Sequence, residues 1–153
     1  MLKKTIFDKI FIACPISKFL VGRSFTDEHF KSFIEDMYAL CNNYADEVFM
    51  ALKREQYGKK LMTEQCAIMD IEEMSSANLV IAIPDDSMGV AIELGWACVL
   101  KKETLLLLDS QKKYSPLLTG MGAITKTTCL YYDSKLDDEV IYKTKAYFDT
   151  ITL

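Results

Sequence analysis

The chain has 153 residues, half of them hydrophobic and about a quarter charged, with a formal net charge of −4. A domain of this length buries about two thirds of its unfolded surface without disulfides or metals, so one domain over residues 1–153 is expected. The scattered Lys and Arg form no basic stripe, which argues against a nucleic-acid polymer as partner, and no run approaches the ~20 apolar residues that span a bilayer.

Strand-like and helix-like segments alternate in chain order. Residues 9–14 (KIFIAC) read as a first buried strand. Lys3 and Lys4 ahead of it mimic a secretory start, but Asp8 and Lys9 break the apolar run below the roughly 7–15 residues such a segment needs. Residues 15–23 form a loop, and Thr26 is expected to cap a helix running to about Asn43 with Phe30, Phe33, Ile34, Met37 and Leu40 at helical spacing. Residues 47–51 (EVFMA) give a second strand, residues 53–58 a loop, and residues 63–76 a helix. A third strand over 79–84, a helix over 89–100, strands over 104–108 and 127–131, and a helix over 137–150 complete the series. Five parallel strands with helices on both faces predict an α/β three-layer sandwich, Rossmann-like or flavodoxin-like.

The five cysteines, Cys14, Cys41, Cys66, Cys98 and Cys129, are isolated and odd in number. They read as buried free thiols of a reducing compartment, so a cytoplasmic location is expected. With His29 as the single histidine and no C-x-x-C, the usual zinc site cannot be assembled, and neither metal nor cofactor is called for.

Residues 76–97 are the most informative stretch. An apolar run (SANLVIAIP) rich in branched residues reads as a strand buried on both faces, followed by Asp85, Asp86 and Ser87 as a loop and then a helix. Gly89 lets a ligand approach the backbone at the helix entrance, where free N–H groups favour an anion such as phosphate. Glu93 lies about one turn further in. An acid near a helix N-terminus is often only dipole compensation. Here three further groups gather at the same sheet edge: the loop after the first strand, Arg54 with Glu55, and Asp70 on the helix before the third strand.

The block from Asp70 to Ala97 (DIEEMSSANLVIAIPDDSMGVAIELGWA) resembles the nucleoside 2-deoxyribosyltransferase superfamily, and within it the branch of nucleotide 5'-monophosphate N-glycosidases that includes cytidine monophosphate hydrolases. The first strand with Pro15, residues 51–58 (ALKREQYG), the Glu93 motif and residues 115–121 (SPLLTGM) occur in matching order. The resemblance implies hydrolysis of the N-glycosidic bond of a pyrimidine, CMP-like nucleoside 5'-monophosphate. Glu93 would attack or stabilise an oxocarbenium-like sugar, and Asp70 would orient the sugar or help protonate the leaving base. The nearby helix N-terminus is expected to keep Glu93 ionised.

Ser87 would take the 5'-phosphate with the Gly89 amide beside it, and Ser115 would reach into a neighbouring subunit's site, which implies a homodimer with shared active sites. Ile16, Ser17 and Lys18 stand where cytidylate hydrolases carry a Phe-Arg pair, so these three and Arg54 are the candidates for base and sugar contacts. A transferase passing the sugar to a second base uses the same residues. A non-catalytic nucleotide sensor has no use for a carboxylate under the anomeric carbon. A flavodoxin-like redox module would need flavin-stacking aromatics that residues 15–23 lack. Trp96 reads as a packing residue of the core or of a dimer surface.

Overall fold

The computed structural model describes residues 4–151. Five parallel strands, β1 (Phe7–Ala13), β4 (Ala45–Met50), β5 (Leu79–Ala82), β6 (Glu103–Asp109) and β7 (Thr127–Tyr132), form one sheet in the order β4-β1-β5-β6-β7. Counting only these strands, the order is 2-1-3-4-5, the flavodoxin-like doubly wound arrangement. A two-stranded antiparallel hairpin, β2 (Leu20–Val21) with β3 (Ser24–Phe25), sits in what the sequence predicts as a loop.

The central strands alternate their side chains between two cores. Ile10 and Ile12 of β1, Leu79 and Ile81 of β5, and Leu105 and Leu107 of β6 meet α1 (Glu28–Asn42) and α6 (Asp138–Ile151), which supply Phe33, Ile34, Met37 and Phe148. Phe11, Val80, Ala82, Leu106 and Leu108 point the other way, against Met74 of α3 (Gln65–Ser76) and Val90, Leu94 and Ala97 of α4 (Met88–Val99). Strands buried on both faces cannot alternate apolar with polar, which is why they read as unbroken apolar runs. Burying a Leu or Ile side chain contributes about 1.5–3 kcal/mol, so these two layers dominate folding.

Helix starts are set by single side chains. At α1 the capping residue is Asp27, not Thr26: the Asp27 carboxylate accepts from the Phe30 amide at 2.8 Å, while the Thr26 hydroxyl donates to the Phe19 carbonyl at 2.9 Å. Ser87 caps α4, its Oγ accepting from the Val90 amide at 3.3 Å. The structure adds two short helices: α2 (Ala51–Arg54), within what the sequence reads as strand end and loop, and α5 (Pro116–Thr119), capped by Ser115. Among the described residues no helix is long and apolar enough to cross a membrane.

Candidate active site

In a doubly wound sheet the ligand crevice opens at the carboxyl ends of the strands where the order reverses. Here the reversal falls between β1 and β5, whose outgoing loops carry Cys14–Ser17 and Asp85–Ser87. A cleft of about 280 Å³ opens there, with Cys14, Ile16 and Ser17 on one side, Ala51, Cys66 and Asp70 on another, and Ser87, Gly89, Glu93 and Trp96 of the α4 unit on the third. A groove of about 330 Å³ adjoins it over the α4 N-terminus, walled by Pro15, Lys18, Asp86 and Met88 and sharing Ile16, Ser17, Ser87 and Gly89 with the cleft. A Cβ added at Gly89 would meet only Ser87 Oγ, at 3.8 Å, so the protein itself leaves this backbone open.

Burial pushes the Glu93 carboxyl up to about 8; the Asp70 charge adds to the rise and Arg54 opposes it. The expectation that the helix N-terminus would keep Glu93 ionised is therefore not met. Helix-dipole stabilisation fades within the first turn, and Glu93 is the sixth residue of α4. Asp70 is also held above its ordinary value, because burial outweighs the Arg54 hydrogen bond and charge that lower it. Burial holds both acids above their ordinary values, with the Asp70 charge adding to the rise at Glu93 and Glu55 and Glu73 adding to it at Asp70, so the cleft faces two carboxyls suited to proton exchange near neutral pH.

Arg54 lies behind the cleft rather than in its lining. Its Nε and Nη2 donate to the two carboxylate oxygens of Glu55 at 2.9 and 2.7 Å, and its Nη1 donates to Asp70 Oδ1 at 2.6 Å. The guanidinium also stands over the Phe49 ring, 5.3 Å from its centroid. Two carboxylates therefore hold Arg54, which the sequence reading offers for base or sugar contacts, outside the lining of the cleft. Glu55 is only 3 % exposed, and the Cys66 thiol donates to its Oε1 at 3.3 Å.

Lys18 flanks the groove, where its ammonium pairs with Asp85, a non-glycine residue at φ +41° whose other oxygen takes Lys112. Ile16 and Ser17 line both cavities, whereas Ser115 is exposed, spends its hydroxyl on the Leu117 amide at 3.2 Å, and lies outside the cleft of its own chain. Trp96 packs on the core, as expected, and also faces the cleft one helical turn beyond Glu93, an assignment that helical spacing alone could have supplied. A larger cavity of about 380 Å³ lies beyond the Pro15 and Asp85 loops. Most of its charged groups are committed internally: Lys18 and Lys112 to Asp85, Asp27 to the Phe30 amide, and Asp109 to the amides of Gln111 and Ser134.

No protein-family model matches the chain, and no curated protein does. Among solved structures, the chain is similar to the CMP N-glycosidase BcmB of Clostridium botulinum, with a TM-score of 0.68 and 24 % identity over 91 % of this chain and 98 % of that one. It is similar also to BlsM, with a TM-score of 0.71 and 25 % identity over 95 % of this chain and 90 % of that one. These likenesses run the length of the domain and establish a shared fold.

Proposed function

We propose that the protein hydrolyses the N-glycosidic bond of a nucleoside 5'-monophosphate, with a CMP-like pyrimidine nucleotide as substrate. The observation that carries this reading is a single opening in which two carboxylates, Glu93 and Asp70, adjoin an uncluttered helix N-terminus at Ser87 and Gly89. A nucleotide needs both halves: a donor-rich end for its phosphate and an acid beneath its anomeric carbon. The fold shared with a protein described as a CMP N-glycosidase supports the same assignment.

In this reading the 5'-phosphate sits over the α4 N-terminus, held by the Gly89 amide and the Ser87 hydroxyl, and the sugar lies over Glu93. A Glu93 carboxylate oxygen attacks C1' as the C1'–N bond breaks. The base leaves with the bonding pair and takes up a proton, with Asp70 orienting the sugar or assisting that protonation. Water then cleaves the glycosyl ester, releasing (deoxy)ribose 5-phosphate and restoring the Glu93 carboxylate. A second copy of the chain supplies Ser115 to the phosphate end, which accounts for its position outside its own cleft.

The test is to incubate the purified protein with ribo- and deoxyribonucleoside 5'-monophosphates and the matching nucleosides, with and without an added free base, and to follow base release by chromatography. Release from a pyrimidine monophosphate without an acceptor, reduced by at least ~10³-fold in Glu93→Gln, is the expected result. Release that survives in Glu93→Gln would remove Glu93 from the chemistry, and release only with an acceptor base would make the protein a transferase.

A further inference from the structure

We propose that Glu55 is a positioning residue of the Glu93 site: its two-point grip on Arg54 aims one guanidinium nitrogen at Asp70 and thereby fixes Asp70 against the cleft. This inference rests on the function proposed above for its meaning, though not for its geometry.

Arg54 offers five N–H donors in a rigid fork. Glu55 takes Nε and Nη2 together, a bidentate pairing that leaves the guanidinium no freedom to rotate, and Nη1 is left directed at Asp70 Oδ1. Glu55 is itself held. Its Oε1 also receives the Cys66 thiol, and the backbone leaving it turns sharply through Gln56 and Tyr57, at φ +51° and +55°, into Gly58 at +92°.

A carboxylate buried to 3 % exposure and joined to a half-buried arginine carries a desolvation cost that only well-made hydrogen bonds offset. Here it stops a cation from swinging into the cleft, where it would neutralise Glu93 or capture the substrate phosphate away from α4. The charges facing Glu93 are Asp70 from α3 and Arg54 from α2, with the Cys14 and Cys66 thiols completing the titratable surroundings. Those bearing on Asp70 are Arg54, Glu55 and Glu73. Glu55 therefore reaches Glu93 through Arg54 and Asp70.

Glu55→Gln keeps the shape but sets an amide N–H₂ against a guanidinium N–H, so one of the two gripping bonds is lost. The experiment titrates the Glu93 side-chain carboxyl by ¹³C NMR in glutamate-labelled, unliganded protein, its signal identified by its loss in Glu93→Gln. In parallel, kcat and KM are measured on whichever monophosphate the wild type cleaves. In Glu55→Gln, the Glu93 titration is expected to move down by at least about half a pH unit, because the network loses one negative charge. kcat is expected to fall at least ~10-fold with KM within about twofold, because Asp70 loses its fixed direction while the phosphate end is untouched.

A Glu93 titration that stays in place in folded Glu55→Gln overturns the proposal. Should that variant fail to fold, Arg54→Lys decides: it keeps the charge but cannot bridge both carboxylates, so the same kcat loss is expected with little movement of the titration. Wild-type kcat in Arg54→Lys overturns the proposal equally. The titration needs no substrate. A shift seen in a protein that cleaves no nucleotide would leave the coupling standing and defeat the N-glycosidase reading instead.

Discussion

At the scale of single residues, Glu93 is held where a carboxylate is least comfortable. Its folded pKa of about 8 lies well above its ordinary 4.5, so between those values the native state keeps a proton that the unfolded chain has released. The native state then binds more protons than the unfolded one, and stability falls as pH rises from about 4.5 to about 8 and stays low above that. Gln cannot ionise and escapes the loss. Glu93→Gln is therefore expected to melt a few degrees above wild type at pH 8.5, with the gain shrinking to nothing by about pH 4 in thermal scans. A gain of equal size at both pH values would mean that Glu93 is not a buried acid. In the proposed mechanism the ionised form attacks, so kcat/KM is expected to climb with pH up to about 8 and then level. Stability lost at the proposed nucleophile is the trade-off expected of a site kept for chemistry.

At the scale of elements, the segment 51–58 shows most clearly what local pattern can and cannot reveal. Gly58 sits at φ +92°, and a Cβ there would fall 2.4 Å from the Leu20 Cδ2 of the β2 strand. Gly58→Ala is expected to destabilise the protein by about 1–3 kcal/mol in urea denaturation, part from backbone strain and part from displacing Leu20. A midpoint within error of wild type would show that the turn tolerates a side chain. The central strands were legible because burial on both faces leaves a continuous apolar run, and Ser87, Gly89 and Glu93 were legible because one strand-loop-helix unit carries them. Helix α2 was not: four residues hold no helical period, and Ala51 reads as well as the end of a strand. Glu55 closes α2 just ahead of positive φ at Gln56 and Tyr57, which are not glycines and give no local signal of the turn. The β2-β3 hairpin, two residues on each strand, is too short for alternation to register. Arg54 stands beside Glu55 in sequence, yet its bond to Asp70 spans sixteen positions and exists only once α3 is packed.

At the scale of the whole molecule, α4 is apolar nearly all round, a composition suited to a helix covered on every side. In the single chain one face of it is bare: Met88 and Val99 are each 81 % exposed, Ile92 is 54 % exposed, and Gly95 between them meets open space. Leu117, beside Ser115 on α5, is 86 % exposed. If a second copy covers these residues, it brings its Ser115 toward the phosphate end of the first copy's cleft, and each active site is built from two chains. That arrangement makes a prediction that a monomer cannot satisfy. Glu93→Gln lacks the proposed nucleophile and Ser115→Arg blocks the proposed phosphate contact, so each variant alone is expected to be inactive. Unfolding and refolding an equal mixture places both defects in one site of each mixed dimer and leaves the other site intact. With half of the dimers mixed and one sound site in each, activity is expected to return to about a quarter of wild type. The measurement is base release by the co-refolded mixture against each variant refolded alone. No recovery from variants that sediment as dimers would place Ser115 in its own chain's site or in none, and would separate the apolar face of α4 from the chemistry.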